Sequence, residues 1–320
     1  MTPGRTCPLH YRYPQSVFHR AAELNSETIY VIGGLYGNLA ALDEIERMAA
    51  QEEAAKPLLV FNGDFHWFDV DPASFSEINV RALAHFALRG NVETEVDGSS
   101  GDAGCGCAYP EEIDEADVER SNRIMLQLAK TARVFPANVE RLAKLPMHAV
   151  AEVAGQRIGI VHGDAESLAG WRFSHAALHE PENQAWLRQV CVDANLAGFA
   201  STHTCLPTLR VFERDGKHAF VANNGAAGMP NFSFTQYGLL TRLSAHPPIE
   251  GTSQFGKRLG DLFVDALPIH YDAAAFERQF LHDWPPGSPA HESYFKRIVE
   301  GPPFGPPHAL GLVRAPAGCV

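Results

Sequence analysis

The sequence PLLVFNGD at residues 57–64 joins a short apolar run to a tight turn that ends in an acid. An apolar run of this length, bounded by turn residues, is typical of a buried strand. The same arrangement occurs at residues 28–32 (TIYVI), which stop at a glycine pair, and at residues 84–88, which stop at RGN. Because helix signals separate these strands, the sequence predicts an α/β sheet.

Helix starts are marked by capping residues. Asn38 is a favourable N-cap, and apolar residues follow it at helical spacing to about residue 50. Asp71 followed by Pro72 predicts the start of a second helix. Further helices are predicted at residues 115–131, 136–144 and 181–193, hairpins at residues 148–161 and 209–222, a short strand at residues 198–201, and a last strand at residues 236–243.

The chain changes composition near residue 245. Residues 1–245 carry these strand and helix signals, and we interpret them as one domain whose first 27 residues are irregular. Residues 246–320 contain dense proline and glycine, as in WPPGSP and GPPFGPPH. Both residue types interrupt regular structure. We therefore predict a C-terminal extension that wraps around the domain with one or two short helices.

Composition excludes several classes of protein. Hydrophobic residues make up 45% of the 320 residues, enough for a sizeable core, and the net charge of −12 argues against broad binding to nucleic acid or to anionic membranes. We find no apolar run near the roughly 18 residues that span a bilayer, and no signal peptide. Six cysteines are too few for a disulfide scaffold. We expect a cytoplasmic protein with reduced thiols.

Polar side chains follow the ends of the predicted strands. Asp64, Asn91, His162 and His203 each lie just beyond a strand and beside a glycine or threonine. Open α/β sheets bind ligands at the carboxyl ends of their strands. One carboxylate, one amide and two imidazoles are a suitable ligand set for a divalent transition metal.

The order of these motifs resembles that of the calcineurin-like metallophosphoesterase superfamily over about residues 28–243. The superfamily carries D-x-H-G-N, G-D-x-x-[DG], G-N-[HxC]-[DE], a lone histidine beside glycine, and G-H-x-H. This chain has GLYGN, GD, GNVE, HGD and THTC at the matching places. The resemblance implies a four-layer α/β/β/α sandwich, with two mixed β-sheets flanked by helices. It also implies a metal-dependent hydrolase for a small-molecule phosphoester, with one or two ions of Mn, Zn or Fe.

The resemblance implies that one of two metal positions is intact. The ligands of the intact position are Asp64, Asn91, His162 and His203. The second position shares Asp64, but its three other ligands are replaced by Gly34, Tyr36 and Cys205. Cys205 is a candidate ligand when deprotonated, and a thiolate would favour Zn or Fe over Mg. Val92 also stands where many members have a histidine that assists the leaving group.

Two cysteines on a glycine-rich loop admit two interpretations. Cys105 and Cys107 follow Glu93 by twelve and fourteen residues. With Cys205, either could rebuild the second metal position. Alternatively, these are small buried side chains that behave as apolar residues.

Two further residues are candidates for catalysis. The resemblance places His66 at the cleft wall, where it would contact phosphate or protonate the leaving group; the alternative is a packing pair with Trp67. Glu93 occupies the acidic position after G-N, where it would orient a ligand; the alternative is a surface carboxylate.

Three functions are compatible with the sequence. The leading hypothesis is a phosphoester hydrolase with a modified metal site. The second is a non-catalytic metal- or phosphate-binding sensor or scaffold, which the altered first motif favours. The third is a thiol-based redox protein that uses the cysteines. The sequence leaves open the substrate, the metal and the oligomeric state.

Overall fold

The computed structural model describes residues 3–53, 55–98, 103–214 and 216–315, whose strands form two six-stranded mixed sheets. In spatial order, the first sheet contains β1 (Leu24–Asn25), β5 (His148–Val153), β6 (Gln156–Val161), β7 (Gly198–Ser201), β9 (Lys217–Asn224) and β8 (Pro207–Arg214). The second contains β11 (Phe255–Leu259), β12 (Leu262–Ile269), β10 (Gly238–Ser244), β2 (Thr28–Ile32), β3 (Leu58–Asn62) and β4 (Phe86–Leu88).

Helices cover the outer faces of both sheets. They are α1 (Leu39–Gln51), α2 (Pro72–Ala82), α3 (Asn91–Glu95), α4 (Glu115–Ala132), α5 (Pro136–Ala143), α6 (Pro181–Asp193), α7 (Ala273–Asp283), α8 (Pro289–Glu300) and α9 (Pro306–Ala309). The predicted caps are confirmed, because Asn38 accepts from the Ala41 amide at 3.0 Å and Asp71 from the Ser74 amide at 2.8 Å. None of these helices is both long enough and apolar enough to cross a lipid bilayer.

Alternation along the buried strands produces the layers. In β2, Ile29 and Val31 pack against the first sheet, whereas Tyr30 and Ile32 pack against the helices on the other face. Both faces are therefore apolar, which explains the continuous hydrophobic run. The other face of the first sheet packs against α6, for example through Phe199. The predicted sandwich of two mixed sheets flanked by helices is confirmed.

The C-terminal segment contains more regular structure than the sequence predicts. β12 pairs antiparallel with β10 along its whole length, and β11 continues the sheet. The strand predicted at residues 236–243 is present as β10, but the prediction that it is the last strand was wrong, since β11 and β12 follow it where an extended wrap was expected. The prolines lie mostly between elements or at the first position of a helix, as Pro289 does in α8. They mark boundaries there instead of interrupting strands and helices.

Candidate metal centre

Four strand ends meet at one edge of the sandwich. The parallel strands β3 and β4 lead to Asp64 and Asn91, and the parallel strands β6 and β7 lead to His162 and His203. Each sheet therefore supplies two of the four predicted ligands. A hydrogen bond also joins the two sheets here, because the side-chain amide of Asn62 donates to the Val161 carbonyl at 2.7 Å.

The side-chain atoms of these four residues converge. His162 Nε2 lies 3.3 Å from Asp64 Oδ2, 3.2 Å from Asn91 Oδ1 and 3.2 Å from His203 Nδ1. Two ligand atoms about 2.1 Å from one ion are about 3.0 Å apart at a right angle and about 3.4 Å apart at the tetrahedral angle. The observed separations match those of ligands that share one ion.

The N–H groups of the same side chains point away from this centre. His162 Nδ1 lies 2.8 Å from the Asn62 carbonyl, His203 Nε2 lies 3.0 Å from the Cys107 carbonyl, and Asn91 Nδ2 donates to the Cys105 carbonyl at 2.9 Å. A carbonyl that accepts a hydrogen bond from one ring nitrogen keeps the proton on that nitrogen, which leaves the lone pair on the other. Four electron-pair donors thus face one point, and this donor set fits a divalent cation.

The electrostatics of the buried cluster agree with that fit. Burial lowers the pKa of His203 to about 3, so its ring is neutral at physiological pH. Burial alone would raise the pKa of Asp64, but the two histidines outweigh it and hold that pKa below its ordinary value. Burial alone would lower the pKa of His162, but Asp64 outweighs it and raises that pKa above its ordinary value. A proton on His162 therefore competes with a cation for this site.

Glu93 holds the backbone that carries Asp64. Its carboxylate is buried and accepts from the amides of Asp64 and Gly90, each at 2.8 Å, and from the Phe65 amide at 3.0 Å. Asp64 has a φ of 55°, a strained value for a residue with a side chain. Three hydrogen bonds to one carboxylate stabilise this turn. Glu93 is not a surface carboxylate and does not line the cleft.

The three residues at the predicted second metal position contact one another. The Tyr36 ring lies over Gly34, so that a Cβ at Gly34 would come within 2.8 Å of Tyr36 Cζ. The Tyr36 hydroxyl lies 3.0 Å from Cys205 Sγ, and Cys205 Sγ donates to the His203 carbonyl at 3.3 Å. Burial raises the pKa of both Tyr36 and Cys205, which keeps them protonated. The structure thus places the predicted ligand Cys205 outside the cluster of Asp64, His162 and His203.

The glycine-rich loop serves the cluster through its backbone. Cys105 is fully buried in the core, and Cys107 Sγ lies near the Cys105 carbonyl. Burial also raises the pKa of Cys107. The carbonyls of Cys105 and Cys107 contact Asn91 and His203, and Asn91 Nδ2 also lies 3.6 Å from Cys107 Sγ. Within the described ranges, the cysteines do not form the predicted second metal site.

The structure does not place His66 at the cleft wall. Its ring is fully buried, stacks on Phe75 with centroids 4.3 Å apart, and has Nδ1 2.8 Å from Asp69 Oδ2. Burial lowers the pKa of His66 to about 4. The prediction that His66 lies at the cleft wall was wrong, because Trp67 lines the cleft whereas His66 is fully buried.

A cleft of about 360 Å³ opens beside the cluster. Its aromatic lining consists of Tyr36, Trp67, Tyr109, Trp171 and Tyr294, and its acidic lining beyond Asp64 consists of Glu112, Asp114 and Asp117. Arg297 also lines it. The sequence did not single out Tyr294 and Arg297, because both belong to α8, which lies in the proline-rich segment that was predicted to be mostly extended. The apolar spacing of Ala290, Tyr294 and Ile298 on that helix was the available signal.

Comparison with solved structures relates the whole arrangement to known proteins. A hypothetical protein from Pyrococcus horikoshii OT3 matches with a TM-score of 0.59 and 15% identity, over 86% of this chain and 98% of that one. A metallophosphoesterase from Sphaerobacter thermophilus matches with a TM-score of 0.52 and 16% identity, over 86% of this chain and 99% of that one. Searches of family models and of curated proteins gave no match. At these identities, the likeness shows the fold.

Proposed function

Since the chain has the calcineurin-like metallophosphoesterase fold, we propose that it is a phosphoester hydrolase that uses one divalent transition metal. The proposed ligands are Asp64, Asn91, His162 and His203. The observation that carries the proposal is the convergence of four electron-pair donors, three of which have their side-chain N–H groups bound elsewhere. Mn, Zn and Fe suit such a mixed nitrogen and oxygen set.

With a divalent ion bound, the four donors would leave a net positive charge that attracts phosphate. Asp64 is the single anionic donor among the four, so the cluster only partly neutralises a divalent charge. A bound ion supplies Lewis acidity and lowers the pKa of coordinated water. Glu93 holds the backbone of Asp64 in place through a hydrogen bond. The carbonyls of Asn62 and Cys107 fix the orientation of the His162 and His203 rings.

The cleft favours a small substrate. Its volume of about 360 Å³ lies in the range of small-molecule pockets. Glu112, Asp114 and Asp117 add negative charge to its wall, which repels polyanions such as nucleic acid. The aromatic side chains offer contact area to an organic leaving group. We therefore propose a small-molecule phosphoester as substrate.

The leaving group receives little help from the residue after Asn91. Val92 is buried and has no proton to donate from its side chain. His66 is enclosed in the core. We therefore expect the rate to depend steeply on the leaving group, with aryl phosphates of low phenol pKa hydrolysed much faster than alkyl phosphates.

Turnover by metal-loaded protein tests the proposal. The protein is loaded in turn with Mn²⁺, Zn²⁺ and Fe²⁺ and assayed on a series of aryl phosphomonoesters and phosphodiesters. His203→Ala should abolish turnover, and His218→Ala, which changes an exposed histidine, should leave it unchanged. Turnover that survives His203→Ala would contradict the proposal.

One observation favours a second candidate function. Because Gly34, Tyr36 and Cys205 stand where the resemblance implies ligands for a second ion, the chain would lack the side chains that complete a two-ion clamp. A protein of this kind could bind metal and phosphate without turnover, as a sensor or scaffold. Tight binding of one ion together with no hydrolysis of any ester in the series would favour this function.

A further inference from the structure

Arg297 is a buried cation on the wall of the cleft. Its side chain comes from α8 and only 7% of the residue is exposed. Nη2 donates to the Cys205 carbonyl at 2.6 Å and Nε to the Pro230 carbonyl at 3.3 Å. Nη1 is buried and has no hydrogen-bond partner. A buried N–H that makes no hydrogen bond is costly, so its presence here calls for an acceptor.

The charge of Arg297 is likewise unmatched. None of the ion pairs found among the described residues includes it (residues 3–315, apart from 54, 99–102 and 215), whereas the other deeply buried arginine, Arg242, pairs with Glu52 at 2.9 Å. Removing a guanidinium from water without a counter-ion is unfavourable. An anion in the cleft would satisfy both the charge and the free Nη1 donor.

Arg297 also lies beside the predicted second metal position. Its Nη2 donates to the backbone of Cys205, whose thiol contacts Tyr36, and the resemblance implies that these two residues stand where a second ion has its ligands. Burial raises the pKa of Cys205, and the charge of Arg297 acts in the opposite direction. Tyr36, Cys205, Arg297, Asp64 and His203 line the same cleft. The positive charge of the guanidinium therefore lies close to the place where the resemblance implies a second metal ion.

We propose that Arg297 binds a phosphate oxygen of the substrate and supplies the positive charge that a second metal supplies in two-ion sites. The inference rests on the proposed function, because it assigns the ligand of the same cleft. Two-ion sites hold the phosphoryl group between two cations. In this arrangement, one side of the group would face the cluster of Asp64, Asn91, His162 and His203, and the other side would accept from the Arg297 guanidinium, which lines the same cleft. Arginine suits this role because its charge is permanent and its N–H groups are directional.

Titration of inorganic phosphate tests the assignment. Calorimetry measures phosphate binding to Mn²⁺-loaded wild type, Arg297→Gln, Arg297→Lys and the control Arg278→Gln, which changes an exposed arginine on α7. We expect Arg297→Gln to bind phosphate about 10- to 100-fold more weakly, as for loss of a charged hydrogen bond. Arg297→Lys should lie between, and the control should match wild type. Phosphate affinity of Arg297→Gln within twofold of wild type would overturn the inference.

Direct titration of Mn²⁺ separates this inference from the proposed function. Arg297→Gln should bind Mn²⁺ as wild type does, because Arg297 is not a proposed ligand. If wild type binds no Mn²⁺, the proposed function fails. Phosphate titration of the metal-free proteins then decides the role of Arg297 by the same comparison.

A crystal structure of the wild type removes dependence on the variants, which lose two buried hydrogen bonds and could unfold. Crystals grown with Mn²⁺ and inorganic phosphate should show an anion within hydrogen-bonding distance of Nη1. An anion bound elsewhere in the cleft, or none at saturating phosphate, would overturn the inference.

Discussion

The Tyr36 hydroxyl and the Cys205 thiol lie 3.0 Å apart, and both residues have left-handed backbone conformations, with φ of 55° and 57°. Such conformations cost about 1–3 kcal/mol for residues with side chains, and they persist where surrounding contacts hold them. Here the contacts are the mutual hydrogen bond and the packing of the Tyr36 ring on Gly34. Gly34, Tyr36 and Cys205, the residues at the predicted second metal position, therefore form a specific set of contacts with one another.

Introducing the three ligands that the family resemblance implies at residues 34, 36 and 205 should create a second metal site. We expect the triple variant Gly34→Asp, Tyr36→His, Cys205→His to bind two ions per chain, against one for wild type, as measured by elemental analysis. Gly34→Asp alone should lower the unfolding temperature, because its Cβ would come within 2.8 Å of the Tyr36 ring and its φ would stay positive. A triple variant that folds and holds one ion would argue against this view of the site.

Metal affinity should fall as the pH is lowered through neutrality. The pKa of His162 is raised above its ordinary value, because Asp64 outweighs the effect of burial, so protons compete with the ion at this nitrogen. His203, with a pKa of about 3, does not compete in this range. Calorimetric titration of Mn²⁺ at pH 6, 7 and 8 should show affinity rising with pH and proton release on binding. Affinity independent of pH would contradict the assignment of His162.

The cysteines should be dispensable for metal binding. Because the thiols of Cys107 and Cys205 lie outside the cluster of Asp64, His162 and His203, single alanine variants of both should keep the wild-type metal content. His203→Ala should lose it in the same analysis. Since burial raises the pKa of both thiols, they should also react slowly with thiol reagents in the folded protein. Rapid modification would instead revive a redox function.

Glu93→Gln should weaken both the fold and the metal site. The glutamine NH₂ group would face a backbone N–H now bound by the carboxylate. Loss of one such buried hydrogen bond costs about 1–3 kcal/mol in unfolding free energy. Denaturant unfolding of metal-free protein gives this value, with the exposed Glu119→Gln as control. Mn²⁺ affinity should fall as well, since Asp64 depends on that turn.

Sequence patterns predicted the parts of the fold that depend on local signals. Apolar strands ended by glycine, together with the caps Asn38 and Asp71, are encoded within a few residues. The four strand-end side chains could be named because parallel strands bring their carboxyl ends to one edge. Two of them come from each sheet, however, so their convergence also depends on how the two sheets pack, which the strand pattern does not encode.

The remaining features depend on contacts between distant segments. Whether Cys205 joins the cluster is decided by the Tyr36 ring, and whether His66 faces the cleft is decided by its packing on Phe75. Arg297 reaches the cleft only because α8 packs against the body of the protein, which the proline content of the tail had concealed. The residues on either side of these positions in the sequence do not indicate such contacts.

The place of β12 between β10 and β11 has a consequence for biosynthesis. A nascent chain that has emerged from the ribosome only to residue 245 presents the full length of β10 as an open hydrogen-bonding edge, which invites pairing with other chains. This edge of β10 is covered only after residues 262–269, which form β12, have been translated, and Arg297 is translated later still. Assembly of the cleft is therefore a late event of synthesis, and C-terminal truncation should produce an aggregating polypeptide rather than a smaller folded one.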